Sequence, residues 1–222
     1  MDAVPYRLVR NLLLAAAVLY CSLLLEAAAG FPLDVHTSFL SELGARDQST
    51  SLYARAMDLS SSVLTLLAVL LARRSRELAG LLVSTAVFAF GTMFDSFSPM
   101  DCAPSASAAC RASEVNGQAG AALVLHEATS TIAGVGTIAM AVFALIALRR
   151  RRRGWGGWPG KLLAVLAGGV LVTQVWLGSV VAYETLSGQE VAAPGILQRA
   201  STLLFCLMLG TLLPGLRQAF SR

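Results

Sequence analysis

Long apolar runs separated by short polar breaks dominate the chain. A helix needs about 20 predominantly apolar residues to cross the hydrocarbon of a bilayer, and six runs reach or approach that length. They cover residues 8–29, 56–72, 78–97, 121–148, 162–183 and 197–216. The second is short and opens with Asp58-Leu59-Ser60-Ser61-Ser62, so its first turn is expected to be wet or buried in protein. The fourth is long enough to tilt or to project beyond the membrane. No intervening stretch is long enough to bury a core of its own. The pattern therefore predicts an all-α, polytopic six-helix transmembrane bundle that forms a single domain over residues 1–222.

Composition agrees with this pattern. The chain is 56% hydrophobic and only 14% charged, where a soluble domain carries roughly 25% charged residues. Mean hydropathy is +0.68. The formal net charge of +4 does not point to nucleic acid, because the arginines flank apolar runs instead of covering a soluble face.

The distribution of charge orients the bundle. Thirteen of the 17 Lys and Arg residues fall at one end of the spans: Arg7, Arg10, Arg73, Arg74, Arg76, Arg149 to Arg153, Lys161, Arg217 and Arg222. Only Arg46, Arg55, Arg111 and Arg199 fall at the other. Basic residues are retained on the cytoplasmic side, so both termini are expected in the cytoplasm, with the loops near 30–55, 98–120 and 184–196 outside. The basic run and the Gly/Trp-rich stretch after it read as a cytoplasmic linker, with Trp155 and Trp158 at headgroup level. Arg7, Arg10, the first apolar run and Ala27-Ala28-Ala29 share features with a cleavable signal peptide. The run exceeds a usual signal core, however, and Glu26 interrupts the cleavage zone, so an uncleaved first helix is expected. Gly134, Gly136, Gly168 and Gly169 are expected to allow close helix approach.

The acidic residues show the opposite bias. Only Asp2 and Glu77 lie on the basic side, and the other 11 acidic residues gather at the far end together with His36 and His126. Glu26, Asp58, Asp95, His126 and Glu127 each sit at or near the outer tip of a span. Ionisable groups inside a membrane are costly and tend to mark function. An outward-facing polar pocket is therefore expected, lined by Glu26, His36, Glu42, Asp58, Asp95, Asp101, His126 and Glu127. The ordinary alternative is that charged helix ends simply reach into water at the interface. His126, Asp95 and Ser41 are the candidate catalytic groups, and His126 shares a helix face with Ser130.

His126, Asp95, Asp101 and His36 include donors that zinc accepts, though their spacing matches no recognised metal signature. No haem is expected, because the chain has two histidines and no Cys-x-x-Cys-His. Cys102 and Cys110 share an exported loop at short separation and are expected to form a disulfide. Cys21 and Cys206 fall within spans and read as small apolar residues.

The stretch His36-Thr37-Ser38-Phe39-Leu40-Ser41-Glu42-Leu43-Gly44-Ala45 resembles the first-loop signature "ISELGA" of the DUF998 family of bacterial six-span membrane proteins. Members carry an aspartate with paired cysteines after the third span and a histidine opening the fourth. Asp95, Phe97, Asp101, Cys102, Cys110 and His126 stand in those places, although Phe97-Ser98-Pro99-Met100-Asp101-Cys102 replaces a tighter Phe-Pro-Cys-Asp run. The resemblance covers most of the chain. It implies the six-span architecture and a bacterial plasma membrane location, and it brings no activity with it.

Three functions compete at this point. The first is a membrane protein whose outward pocket binds a lipid headgroup or small amphiphile, with membrane lipid as its partner. The second is an intramembrane hydrolase of lipid amides or esters, with or without a metal such as zinc. The third is a small transporter, which the lack of charges near mid-span and of paired broken helices disfavours.

Overall fold

The computed structural model describes residues 5–73, 75–116, 118, 120–150, 157–187 and 193–220. Within them the chain is all-helical: α1 (Tyr6–Tyr20), α2 (Ser22–Ala28), α3 (Ser51–Ala72), α4 (Ala79–Phe97), α5 (Ala108–Val115), α6 (Ala121–Arg149), α7 (Gly157–Ser187) and α8 (Pro194–Phe220). Short 3-10 turns occupy Leu40–Gly44 and Arg76–Leu78. Asp2, Arg74, Arg151, Arg152, Arg153, Trp155, Glu190 and Arg222, which entered the charge and linker arguments, lie outside the described residues.

Five of these helices are long and apolar enough to cross a membrane, and six spans result if α1 and α2 count as one. That pair bends by 45° at Cys21. Many large apolar side chains are exposed on the outside of the bundle, among them Val18, Leu67, Val83, Phe90, Val135, Val165, Val172, Trp176 and Leu203. In water such a surface would aggregate, whereas lipid solvates it. The chain is a multi-pass membrane protein.

The long helices form a closed ring in which each packs on the next, α1 on α3, α3 on α4, α4 on α6, α6 on α7, α7 on α8 and α8 back on α1. Short connections make most neighbours antiparallel, so the basic helix ends gather at one end of the ring. Interior packing uses small residues, including Ala16, Ala17, Ala133, Ala141, Ala144, Ala164 and Ala167. Lipid supplies no hydrophobic drive between helices, so close approach and dispersion must hold them together. The contact of α4 with α6 is the clearest case. A Cβ on Gly136 would come within 2.3 Å of the Phe88 amide nitrogen, and one on Gly91 within 2.5 Å of that of Ala133. Gly134 and Gly168, also expected to serve close packing, face open space instead.

Tyr20, Phe88 and Phe205 meet in the ring interior and join α1, α4 and α8. Their centroids lie 5.0 Å (Tyr20–Phe88), 5.4 Å (Tyr20–Phe205) and 4.6 Å (Phe88–Phe205) apart. Tyr20 meets both partners edge-on, the arrangement that sets the positive ring edge against a negative face.

The acidic end is closed by a cap built from the segments 31–50 and 98–116. The cap has its own apolar core of Leu33, Leu40, Leu43, Ala45, Met100 and Ala103, which rests on Ala54 of α3. Cys102 and Cys110 form the expected disulfide within it.

Candidate functional site at the capped end

Asp95 lies in the last turn of α4, and the first turns of α6 face it. On α6, His126, Thr129 and Ser130 stand at positions i, i+3 and i+4 and so share one face. The Thr129 hydroxyl donates to Asp95 Oδ1 at 2.7 Å and the Ser130 hydroxyl donates to the same oxygen at 2.9 Å. His126 Nδ1 lies 3.0 Å from that oxygen, with the side chains 10% and 18% exposed. The ring nitrogen is buried, and this approach does not have hydrogen-bond geometry.

Two more helices reach this neighbourhood. Asp58 of α3 is within electrostatic reach of Asp95. The Tyr20 phenol of α1 is near both carboxylates and lies beside Thr92, one turn before Asp95. The Thr92 hydroxyl is buried and forms no well-aligned hydrogen bond. Four helices thus bring two carboxylates, an imidazole, a phenol and three hydroxyls together at the capped end of the bundle, near the aromatic trio.

The hydrogen bonds limit the chemistry. Ser130 gives its proton to Asp95 and is not held by the imidazole, so Ser130, His126 and Asp95 do not line up as nucleophile, base and orienting acid. Among the described residues no three His, Cys, Asp or Glu side chains come together as a metal-binding group. Asp95 and His126 are therefore a pair without a third such ligand.

The cap uses its charged residues differently. Glu26 is fully buried and Arg199 of α8 is 9% exposed. Arg199 Nε donates to Glu26 Oε2 at 2.9 Å, and Nη2 donates to Glu26 Oε1 in a bidentate pair. Nη1 is shared among the carbonyls of Ser38 at 2.7 Å, Val35 at 3.0 Å and Gly195 at 3.1 Å. One guanidinium therefore ties the end of α2, the first cap segment and the start of α8. The approach is close enough to require glycine at 195, where a Cβ would fall 2.4 Å from the Ser38 oxygen. Pro194 begins α8, a position at which the missing amide hydrogen costs nothing.

Glu42 is equally committed. Its Oε1 accepts from the Phe39 amide at 2.8 Å, and its Oε2 accepts from the Ser105 amide at 2.9 Å and hydroxyl at 2.5 Å. Asp47 accepts from the Ala103 amide, and exposed Arg46 pairs with Asp101 at 2.8 Å. The exposed Asp34 carboxylate accepts from the amides of His36 at 2.7 Å and Thr37 at 3.1 Å, which holds its pKa below the ordinary carboxylate value.

Of the expected pocket residues, Asp58, Asp95 and His126 come together. Glu26 and Glu42 are bound into the cap's framework, while His36 and Asp101 are exposed on it. Glu127 is exposed on α6, and Ser41 is half-buried in the 3-10 turn Leu40–Gly44. Sequence reasoning overlooked Tyr20, Thr92 and the role of Arg199. Arg199 carried a signal, as a lone basic residue one turn inside the last span on the acidic side. Two cavities lie elsewhere. One of about 20 Å³ is apolar and lies among Leu13, Ala68, Leu81 and Leu212. Another of about 150 Å³ opens beside Glu77, Phe143 and Arg150.

The family described as "Protein of unknown function (DUF998)" matches residues 13–213. Neither a curated protein nor a solved structure matches the chain.

Proposed function

The chain belongs to the DUF998 family, and on that premise we propose that it binds the polar headgroup of a lipid or small amphiphile in the cluster of His126, Asp95 and Asp58. The observation that carries this reading is the approach of His126 Nδ1 to Asp95 Oδ1 at 3.0 Å, both side chains mostly buried, beside the buried Thr92 hydroxyl, which forms no well-aligned hydrogen bond. An unpaired buried polar group costs about 1–3 kcal/mol, and a bound headgroup recovers that cost. The excess of Lys and Arg at the opposite helix ends supports a site that faces away from the cytoplasm, with both termini inside, in a bacterial plasma membrane.

The full chain, purified in mild detergent, is expected to carry a defined lipid or amphiphile in native mass spectrometry. H126A and D95N are expected to lose it. A protein that emerges empty, and whose thermal stability responds to no added lipid, refutes the proposal.

A second reading rests on the 3.0 Å approach of His126 to Asp95. A carboxylate can orient an imidazole as a general base, and a base at the membrane face suits hydrolysis of a lipid ester or amide. Release of fatty acid from labelled lipid by the wild type, and not by H126A, would favour it over simple binding.

A further inference from the structure

Independently of the capped end, we infer that the opposite, basic end of the bundle holds a second site, a cavity that takes a phospholipid whose headgroup joins a phosphate to a primary ammonium. The cavity of about 150 Å³ lies between the start of α4 and the end of α6. That volume is well above the roughly 10–15 Å³ that a single water requires. Leu78, Leu81, Phe143 and Ile146 give it apolar walls, and Glu77 and Arg150 bring one charge of each sign. Glycine at 80 shapes it. A Cβ there would lie 2.4 Å from Cε1 of Phe143, so the bare backbone lets that ring rest against the first turn of α4. Phe143 is also 38% exposed, which makes one wall of the cavity part of the apolar outer surface of the bundle.

The two charges select the headgroup. Glu77 and Arg150 line one cavity, yet among the described residues neither side chain has an ion-pair or hydrogen-bond partner. Opposite charges that share a cavity without meeting suit a molecule that bears both. Arg150 follows the last residue of α6, and a guanidinium offers a phosphate two parallel N–H donors. The start of α4 adds to this preference, because its N-cap is Leu78 and no side chain caps its first turn. Uncapped amides at a helix N-terminus favour an anion. The Glu77 carboxylate only accepts and an ammonium only donates. A choline nitrogen has no N–H to give, a glycerol headgroup supplies no cation, and a bare phosphate meets repulsion from Glu77. The location fits a lipid, since Arg73, Arg149, Arg150 and Lys161 are exposed at this end of the spans, where basic residues meet headgroups. Phe143 and Ile146 then lie on the acyl side.

The test uses the full chain, delipidated in mild detergent, with lipid adducts resolved by native mass spectrometry. Dioleoyl phosphatidylethanolamine, phosphatidylcholine and phosphatidylglycerol are titrated singly. The ethanolamine lipid is expected to bind more tightly than the other two by at least about tenfold. R150Q is expected to weaken it by a similar factor, and E77Q to erase its advantage over phosphatidylglycerol. Both side chains are exposed, so neither change threatens the fold. R149Q removes the same charge one residue away and outside the cavity, and is expected to leave binding unchanged. Equal affinity for the three lipids, or equal loss in R149Q and R150Q, overturns the inference. Displacement of the lipid by free phosphoethanolamine at equal concentration overturns the lipid as occupant. An adduct lost in H126A but kept in E77Q and R150Q belongs to the capped end, which overturns this inference and leaves the proposed function standing.

Discussion

Replacing Arg199 by methionine isolates the largest electrostatic commitment in the cap. The change preserves much of the side-chain volume but strands Glu26, which is fully buried. Breaking a buried ion pair by removing one partner costs about 3–5 kcal/mol. The carbonyls of Val35 and Ser38 lose the same guanidinium, and Glu26 has no other side-chain partner among those described. At about 2–4 °C per kcal/mol for a chain of this length, R199M should lower the unfolding midpoint by roughly 6–20 °C. R199K should fall between, because a compact ammonium cannot span both Glu26 oxygens and the cap carbonyls together. The double variant E26L/R199M removes both charges and should regain part of the loss, with the orphaned carbonyls accounting for what is not regained. The assay is thermal unfolding in detergent followed by circular dichroism, paired with limited proteolysis of the segment 31–44. A shift of less than about 3 °C for R199M, or a double variant no better than the single, refutes the claim that this pair is desolvated and mutually dependent.

Further expectations follow from individual contacts. G136A drives a methyl into the Phe88 backbone and should cost about 1–3 kcal/mol, whereas G134A, which faces open space, should be neutral or gain up to about 1 kcal/mol from helix propensity; thermal midpoints compare the two directly. C102S/C110S opens a short loop and should remove about 2–3 kcal/mol of local restraint, seen as faster proteolysis within the second cap segment at unchanged helix content. The Asp34 pKa is lowered by amide hydrogen bonds, so its contribution is present above the ordinary value near 3.8 and is lost as pH falls through the still lower folded value. The turn at 34–38 should therefore stay protected from amide exchange at neutral pH, and D34N should expose it there.

Much of the architecture is written in local hydropathy. The runs at 78–97 and 121–148 reappear almost unchanged as α4 and α6. Others differ at their ends. The helix expected from residue 56 starts at Ser51, where the Thr50 and Ser51 hydroxyls donate to the carbonyls of Leu43 and Gly44 and moor the first turn to the cap. Helix α7 runs from Gly157 to Ser187, beyond the apolar stretch at both ends, because a helix can continue past the hydrocarbon while apolarity marks only the part inside it. The bend at Cys21 left no mark in the sequence, since no proline or glycine stands there.

The site divides along the same line. That Asp95 and His126 lie near helix ends on one side could be read from span position and charge bias alone, whereas Asp58, expected to open its span, sits two turns inside α3 because that helix starts at Ser51. That Glu26 and Glu42 serve the cap could not, because their partners Arg199 and Ser105 are 173 and 63 residues away. Tyr20 was invisible as a site residue because a tyrosine within an apolar run reads equally well as a lipid-facing aromatic.

Hydropathy and charge are sums over neighbours in the chain, so one strand of letters suffices to count the apolar segments and to say at which end the acids collect. Which acid meets a guanidinium and which meets an imidazole and hydroxyls depends on distances through space. Closure of the ring sets those distances, and with them it separates the carboxylates that hold the cap from the one beneath it that meets His126, Thr129 and Ser130.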